Sequence, residues 1–143
     1  MAGERQLRVE PHPGATGAAR RFVSRALHDW QVPDPWPILL ASHELVANAL
    51  RHARTPALLR IRHRDGRVRI EVADTDPRAP CRIPEPDPMA PSGRGLLIVA
   101  LLADRWGVEL AATGKTIWAE VPVTPATPVT PTSPVAPVPT RTR

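Results

Sequence analysis

The chain is poor in several residue types, and each shortage excludes a class of protein. A single cysteine, Cys81, among 143 residues excludes an internal disulfide and a cysteine-based metal cage. The first ten residues include charged side chains, and no apolar run approaches the length of a membrane span. We therefore expect a cytoplasmic protein with no signal peptide and no membrane partner.

Aromatic residues are also scarce, and tyrosine is absent. Proteins that bind single-stranded nucleic acid stack bases on exposed aromatic rings, but we expect all five rings of this chain in the core. The net charge of +5 comes from arginines spread along the chain, without a dense basic run. Direct nucleic-acid binding is therefore not expected, although a basic binder remains an alternative. The five rings belong to Phe22, Trp30, Trp36, Trp106 and Trp118.

Proline is abundant, and its distribution divides the chain. Six of the 19 prolines lie in residues 124–143, which contain no acidic residue and no helical period. Such a segment cannot bury enough apolar surface to fold, so we predict a disordered tail at 124–143 after one folded domain at 1–123. Six more prolines lie in residues 74–91, which we predict to be a long loop of the kind that forms lids or binding loops.

The remaining patterns predict an α+β fold. An edge strand at 6–10 precedes an amphipathic helix at 15–30, a connection at 32–37 and a second helix that runs from there to about residue 54. Residues 57–73 alternate as a hairpin around Asp65-Gly66, with arginines on the solvent side. An apolar helix at 96–106 and strands at 107–112 and 116–123 follow. This order predicts a two-layer sandwich with helices on one face of an antiparallel or mixed sheet.

The second helix carries a polar stripe in apolar surroundings. Glu44 and Asn48 lie four residues apart and therefore one above the other on a helix, with His52 a further turn along. Asn48 is the only asparagine in the chain. Because an unpaired buried carboxylate costs several kcal/mol, we expect the stripe to line a cavity for water, a metal or a ligand. A satisfied buried hydrogen-bond network is the simpler alternative.

Other residues have the chemistry of a phosphate and cation site. Gly93 and Gly95 open a predicted helix, where backbone N–H groups favour phosphate, although a flexible hinge explains them equally. Asp74 ends a predicted strand, where its carboxylate can accept from an exocyclic amine or simply form a turn. Lys115, the only lysine, ends a predicted turn and Thr116 begins the next strand; both could contact phosphate, although a turn lysine by default faces solvent. Asn48 offers an oxygen to Mg²⁺.

Four motifs stand in a fixed order: ELVANALRH at 44–52, DTD at 74–76, SGRGL at 92–96 and GKTIW at 114–118. In this order and spacing they resemble the GHKL ATPase superfamily over about residues 5–123. Among its members, the chain looks most like the small stand-alone anti-sigma factor serine kinases, a type that includes many actinobacterial ATP-binding regulatory proteins.

The resemblance implies a Bergerat sandwich that binds ATP and Mg²⁺ between its helices and a lid. It implies that Glu44 is the catalytic base, that Asn48 is the Mg²⁺ ligand and that Asp74 binds the adenine amine. Lys115 and Thr116 would close the site. Phosphates would be held by Gly93, Arg94, Gly95 and Leu96, and His52 and Asp76 are further candidate nucleotide-binding residues.

The function implied is a serine/threonine protein kinase of the anti-sigma type. Its expected partners are a sigma factor and a STAS-type anti-anti-sigma protein, and such kinases are often homodimers. The alternative is a non-catalytic module that sequesters a partner with weak or no nucleotide binding. Asp76 and Pro77 favour the alternative, because the superfamily has glycine at position 76, whereas Glu44 favours the kinase.

Overall fold

A computed structural model describes residues 2–52, 55–74, 94–112 and 114–123. In these residues three helices and five strands follow one another in the order that the sequence predicts, in an α+β arrangement consistent with the Bergerat fold. The predicted loop at 74–91, apart from Asp74, and the predicted tail at 124–143 lie outside the described residues. The elements are β1 (Gly3–Val9), α1 (Ala15–Asp29), α2 (Trp36–His52), β2 (Ala57–Arg64), β3 (Arg67–Asp74), α3 (Arg94–Leu102), β4 (Arg105–Ala111) and β5 (Gly114–Pro122).

The strands form one antiparallel sheet in the order β1-β2-β3-β5-β4. The pair β2 and β3 is the predicted hairpin, with Arg64 opposite Arg67 across a two-residue turn. Asp65 and Gly66 take φ angles of 54° and 72°, which are the positive values that this turn requires. The Asp-Gly dipeptide thus sets the register that separates the two faces of the sheet.

The inner face of the sheet packs against the helices and forms the core. Leu59 and Ile61 on β2 and Val68, Ile70 and Val72 on β3 are buried there, as their alternation predicts. Helix α1 contributes Val23 and Leu27, and α2 contributes Ile38, Leu45 and Val46. Helix α2 packs on α1, α3 and the three central strands.

The outer face carries a layer of paired charges. Glu71 accepts hydrogen bonds from Arg62 Nη2 and from Arg69 Nε, each at 2.7 Å. Glu120 pairs with Arg105 Nη2 at 2.8 Å and with Arg69 Nη1 at 3.5 Å. This face is exposed to solvent, as the arginine alternation predicts, and neighbouring carboxylates hold the guanidinium groups of these three arginines.

Two expectations need correction. The predicted helix at 96–106 ends at Leu102, and Arg105 and Trp106 already belong to β4. Two charged residues, Asp104 and Arg105, interrupt the apolar run there, but charged residues occur within amphipathic helices as well as in turns, so the pattern does not mark the boundary. The turn shows in hydrogen bonds, because Ala103 N donates to Val99 O whereas Asp104 N donates to Glu120 O on β5.

The aromatic residues are not all in the core. Trp30 is buried and Phe22 and Trp106 pack partly against the core, but Trp36 is 58% exposed at the start of α2. Trp118 lies half-buried on the outer face, where the Arg69 guanidinium stacks 4.2 Å from its ring centroid. In the described part of the chain, no helix is long and apolar enough to cross a membrane.

Candidate functional site

Helix α2 carries Asn48, one of the predicted polar residues, into the interior. The helix begins at Trp36, whose backbone N–H donates to Asp34 Oδ1 at 3.4 Å. Its apolar residues pack on the inner face of the sheet and on α3, so it is covered on most sides. Position 48 lies within this covered part of the helix.

Asn48 is a buried polar residue whose amide nitrogen the packing leaves unexplained. Only 3% of the residue is exposed, and its Nδ2 has no hydrogen-bond partner among the residues that the structure describes. An unpaired buried amide costs about 1–3 kcal/mol, so a folded protein rarely keeps one without use. Because the oxygen and nitrogen of a carboxamide can exchange places, the side chain can present an acceptor oxygen to a ligand or cation there.

Asp74 and the beginning of β5 lie at one end of the sheet. Asp74 pairs with Ala57 of β2, and its neighbour Ala73 pairs with Thr116 of β5. The alternation of the strands places Asp74 and Lys115 on the inner face, whereas Thr116 is on the outer side. Asp74 is 7% exposed, and Lys115 is half-buried. Because α2 ends just before β2 begins at Ala57, the second half of α2 belongs to this same end of the domain.

The third contribution comes from α3. This helix begins at Arg94, so Arg94 and Gly95 lie in its first turn, and it packs against α2. Leu96 is buried and anchors that turn to the core. Gly93 and Asp76 lie outside the described residues, as do the side chains of His52 and Arg94.

The predicted stripe on α2 is only partly buried. Asn48 is buried, Glu44 one turn earlier is half-buried, and Arg51 is exposed. Glu44 is therefore not fully enclosed, which reduces the energetic objection that the sequence raised.

Sequence reasoning missed two residues near this region. Ser42 is buried on α2, but its Oγ donates to Leu39 O at 2.9 Å, which satisfies the hydroxyl within the helix. Gly114 is the first residue of β5 rather than part of the turn, and its φ of 145° is one that side chains rarely adopt. The available signal was its position directly before the only lysine.

The comparison with protein families decides the family. The model of the histidine kinase-like ATPase domain matches residues 9–121, which is most of the chain and contains every described site residue. The chain belongs to the histidine kinase-like ATPase family. This ATPase domain confirms the superfamily predicted from the four motifs, and ATP is the nucleotide that the family implies.

Two individual proteins are similar to this ATPase domain. An uncharacterized protein of Streptomyces coelicolor is 37% identical over 68 residues, which cover 46% of this chain and 65% of that protein. A crystal structure of the RsbU and RsbW domains of a Mycobacterium tuberculosis protein matches with a TM-score of 0.66 at 18% identity. That match covers 85% of this chain but only 32% of the other, and it shows the fold.

Proposed function

We propose that this domain binds Mg-ATP at the end of the sandwich bounded by α2, the end of β3 and the beginning of β5. The observation that carries the proposal is Asn48, a buried carboxamide whose Nδ2 has no partner among the described residues, on a helix whose buried side chains are mostly apolar. A bound ligand, which is not part of the chain itself, would give that group a partner. Mg²⁺ commonly takes one or two protein oxygens and completes its shell with phosphate and water.

The other residues fit the parts of a nucleotide around Asn48. Asp74 is nearly buried, and its carboxylate would accept from the adenine amine at the end of β3. Lys115 and Thr116 would contact phosphate from β5. The first turn of α3 would direct its free N–H groups towards phosphate oxygens. We assign this last role to residues Gly93, Arg94, Gly95 and Leu96, with His52 and Asp76 as further contacts.

We further propose that the domain transfers the γ-phosphoryl group of ATP to a serine of a STAS-like partner, and that it also binds a sigma factor. Transfer breaks the bond to the β-phosphate oxygen and forms one to the serine oxygen, releasing ADP. Glu44 would accept the hydroxyl proton, since it is half-buried one turn from Asn48. Such a reaction needs mainly positioning and charge neutralisation. The family match and the RsbW likeness support this type of regulator.

Calorimetric titration of Mg-ATP tests the binding site. We expect the wild type to bind and Asn48→Leu to lose at least about tenfold in affinity, because leucine keeps the volume but offers no oxygen. Ser42→Ala is the matched control, since it removes a buried polar group of the same helix whose bond is satisfied by Leu39 O. Its affinity should stay unchanged. No heat with the wild type would contradict the nucleotide site.

The non-catalytic alternative keeps its support from Asp76 and Pro77, which replace a flexible glycine by a stiff and negatively charged pair. Glu44→Gln separates the two functions. A kinase variant would bind Mg-ATP and partner but lose phosphorylation of the partner serine, measured by mass spectrometry. If the variant phosphorylated the partner as well as the wild type does, Glu44 would not be the base. If the wild type showed no phosphorylation, the non-catalytic binding module would be the remaining function.

A further inference from the structure

We propose that the outer face of the sheet carries a docking site for an acidic segment of a partner protein. The site is a hollow of about 280 Å³ beside the β2–β3 turn, here called the arginine hollow. Its walls include two carboxylates, Asp65 and Glu120. It is lined by five arginines: Arg62, Arg64, Arg67, Arg69 and Arg105.

The arginine hollow contains more positive charge than its own carboxylates neutralise. Arg62 stands opposite Arg69 and Arg64 opposite Arg67 in the β2–β3 ladder, and like charges directly opposite destabilise a sheet. Glu71 bridges the first pair, but Arg64 forms no ion pair with any residue in the described ranges. A negatively charged partner would therefore relieve a repulsion that the domain leaves in place.

Four of the five guanidinium groups, all except that of Arg64, are held in position before any partner arrives. Arg67 Nε lies 3.1 Å from Asp104 Oδ2, and Arg105 Nη2 lies 2.8 Å from Glu120 Oε1. Each contact uses part of a guanidinium that has five N–H donors, so further donors remain for a partner. Planar guanidinium groups match carboxylates in paired hydrogen bonds, and prepositioned side chains lose less entropy on binding.

The same contacts favour an acidic protein over a nucleic acid. Carboxylates stand between the arginines. These carboxylates would repel the closely spaced phosphates of a nucleic-acid backbone, but they leave room for separate acidic side chains. Trp118, the aromatic residue nearest the arginines, is covered by Arg69 and packs against Gly107, where an added Cβ would lie 3.0 Å from its ring. The ring is therefore not open for base stacking.

This inference does not rest on the proposed nucleotide site. The arginine hollow lies on the outer face of the sheet. Asp74 lies on the inner face, and Asn48 lies on helix α2, which packs against that inner face. Binding of an acidic segment should therefore persist in Asn48→Leu. If that variant lost the binding, the segment would occupy the nucleotide site and the proposal would be wrong.

A fluorescein-labelled hexaglutamate peptide is a suitable probe for the full chain, followed by fluorescence anisotropy at about 20 mM salt, where screening is weak. We expect Arg64→Gln with Arg105→Gln to weaken binding about tenfold, since each exposed pair contributes up to about fivefold. In NMR spectra of the wild type, the Nε–H signals of Arg62 and Arg69 should shift on peptide addition.

The matched control is Arg20→Gln with Arg25→Gln, which removes the same charge from the exposed face of α1 in the helical layer. Binding of this control should change less than twofold. An equal loss in both double variants would mean that only the net charge matters and would overturn the site. So would absence of binding to the wild type. A single-stranded heptanucleotide that bound more tightly with the same variant pattern would identify a nucleic-acid surface instead.

Discussion

The same strands present two faces of opposite character, an apolar inner face and a charged outer face. On the inner face, aliphatic side chains exclude water, and the polar groups are few and concentrated near one end. On the outer face, charged residues alternate, and Glu71 and Glu120 each hold two arginines or more.

The difference teaches where to look for function. In the core beneath the inner face a buried polar group costs stability, so Asn48 on α2 indicates a function, because its Nδ2 has no partner in the described part of the chain. On the outer face charges are ordinary, and their pairing explains most of them. There the informative residue is Arg64, whose charge the described neighbours do not neutralise.

The sharpest test of the comparison uses two adjacent leucines on opposite faces of β2. Leu59→Ala should lower the free energy of unfolding by about 3–5 kcal/mol, because Leu59 is fully buried and its loss leaves a cavity. Leu58→Ala should cost about 1 kcal/mol or less, because Leu58 is half-buried on the outer face. Urea denaturation measures both, and equal losses would contradict the division of the faces.

The second test concerns how tightly the inner layer packs at its edge. Gly3 on β1 faces Trp30, and a Cβ there would lie 2.7 Å from Trp30 Cε2 and closer still to Nε1. Gly3→Ala should therefore cost about 1–3 kcal/mol by forcing the buried ring to move. Gly17→Ala is the matched control in α1, where a Cβ would lie 3.5 Å from Arg21 Nη1. It should raise stability by about 0.5–1 kcal/mol, as measured by thermal unfolding.

The third test removes the central charge of the outer face. Partial burial would raise the pKa of Glu71, but the hydrogen bond and charge of Arg69, and then of Arg62, outweigh it and lower that pKa below its ordinary value. Glu71→Gln should cost about 1–2 kcal/mol at neutral pH. Glu10→Gln, at an exposed pair with Arg8, should cost less than about 0.5 kcal/mol.

The pH dependence of Glu71→Gln has a definite sign. Because the folded state lowers the pKa of Glu71, the unfolded chain binds the proton more readily. The stability that the carboxylate contributes is complete above its ordinary pKa and is lost as the pH falls through the folded-state value. The difference between wild type and variant should therefore shrink below about pH 4. A difference that stayed constant would show that the carboxylate is not preferentially stabilised by folding.

The smallest effect on stability is expected where the effect on function is largest. Asn48→Leu should change the free energy of unfolding by less than about 1 kcal/mol, or raise it, because an unpaired buried amide is replaced by an apolar side chain of similar size. Thermal unfolding without nucleotide measures this. A loss above about 2 kcal/mol would indicate that Asn48 holds the fold together.

Much of the fold was readable from local patterns. The Asp65-Gly66 turn and the alternation of Leu59, Ile61, Val68 and Ile70 predict the hairpin and its buried face, because each depends on neighbouring residues alone. The end of α3 at Leu102 could not be predicted, since the Asp104-Arg105 pair that follows suits a helix as well as a turn, and the backbone bond from Asp104 to Glu120 comes from a distant strand. The outer position of Trp118 likewise depends on strand register, which composition does not contain.

The candidate site was predictable in its residues but not in their environment. Spacing identified Glu44 and Asn48 as neighbours on one helix, and the structure adds that only Asn48 is fully buried. The proximity of Asp74 to Thr116 comes from pairing of β3 with β5, a contact between distant parts of the chain. The roles of these residues stay predictions until nucleotide binding is measured.

The strand order also bears on how quickly the domain can form. Two ladders are hairpins, but β1 pairs with β2 and β3 with β5 across about 50 positions of chain, as between Leu7 and Leu59 or Ile70 and Ala119. Closing such long loops costs entropy before the contacts form, so a sheet of this kind forms more slowly than a helical bundle, whose contacts are local. During synthesis β1 must wait for β2, and β3 must wait for β5. The β3 edge of the newly made hairpin therefore stays unpaired until β5, the last of the five strands, has been made.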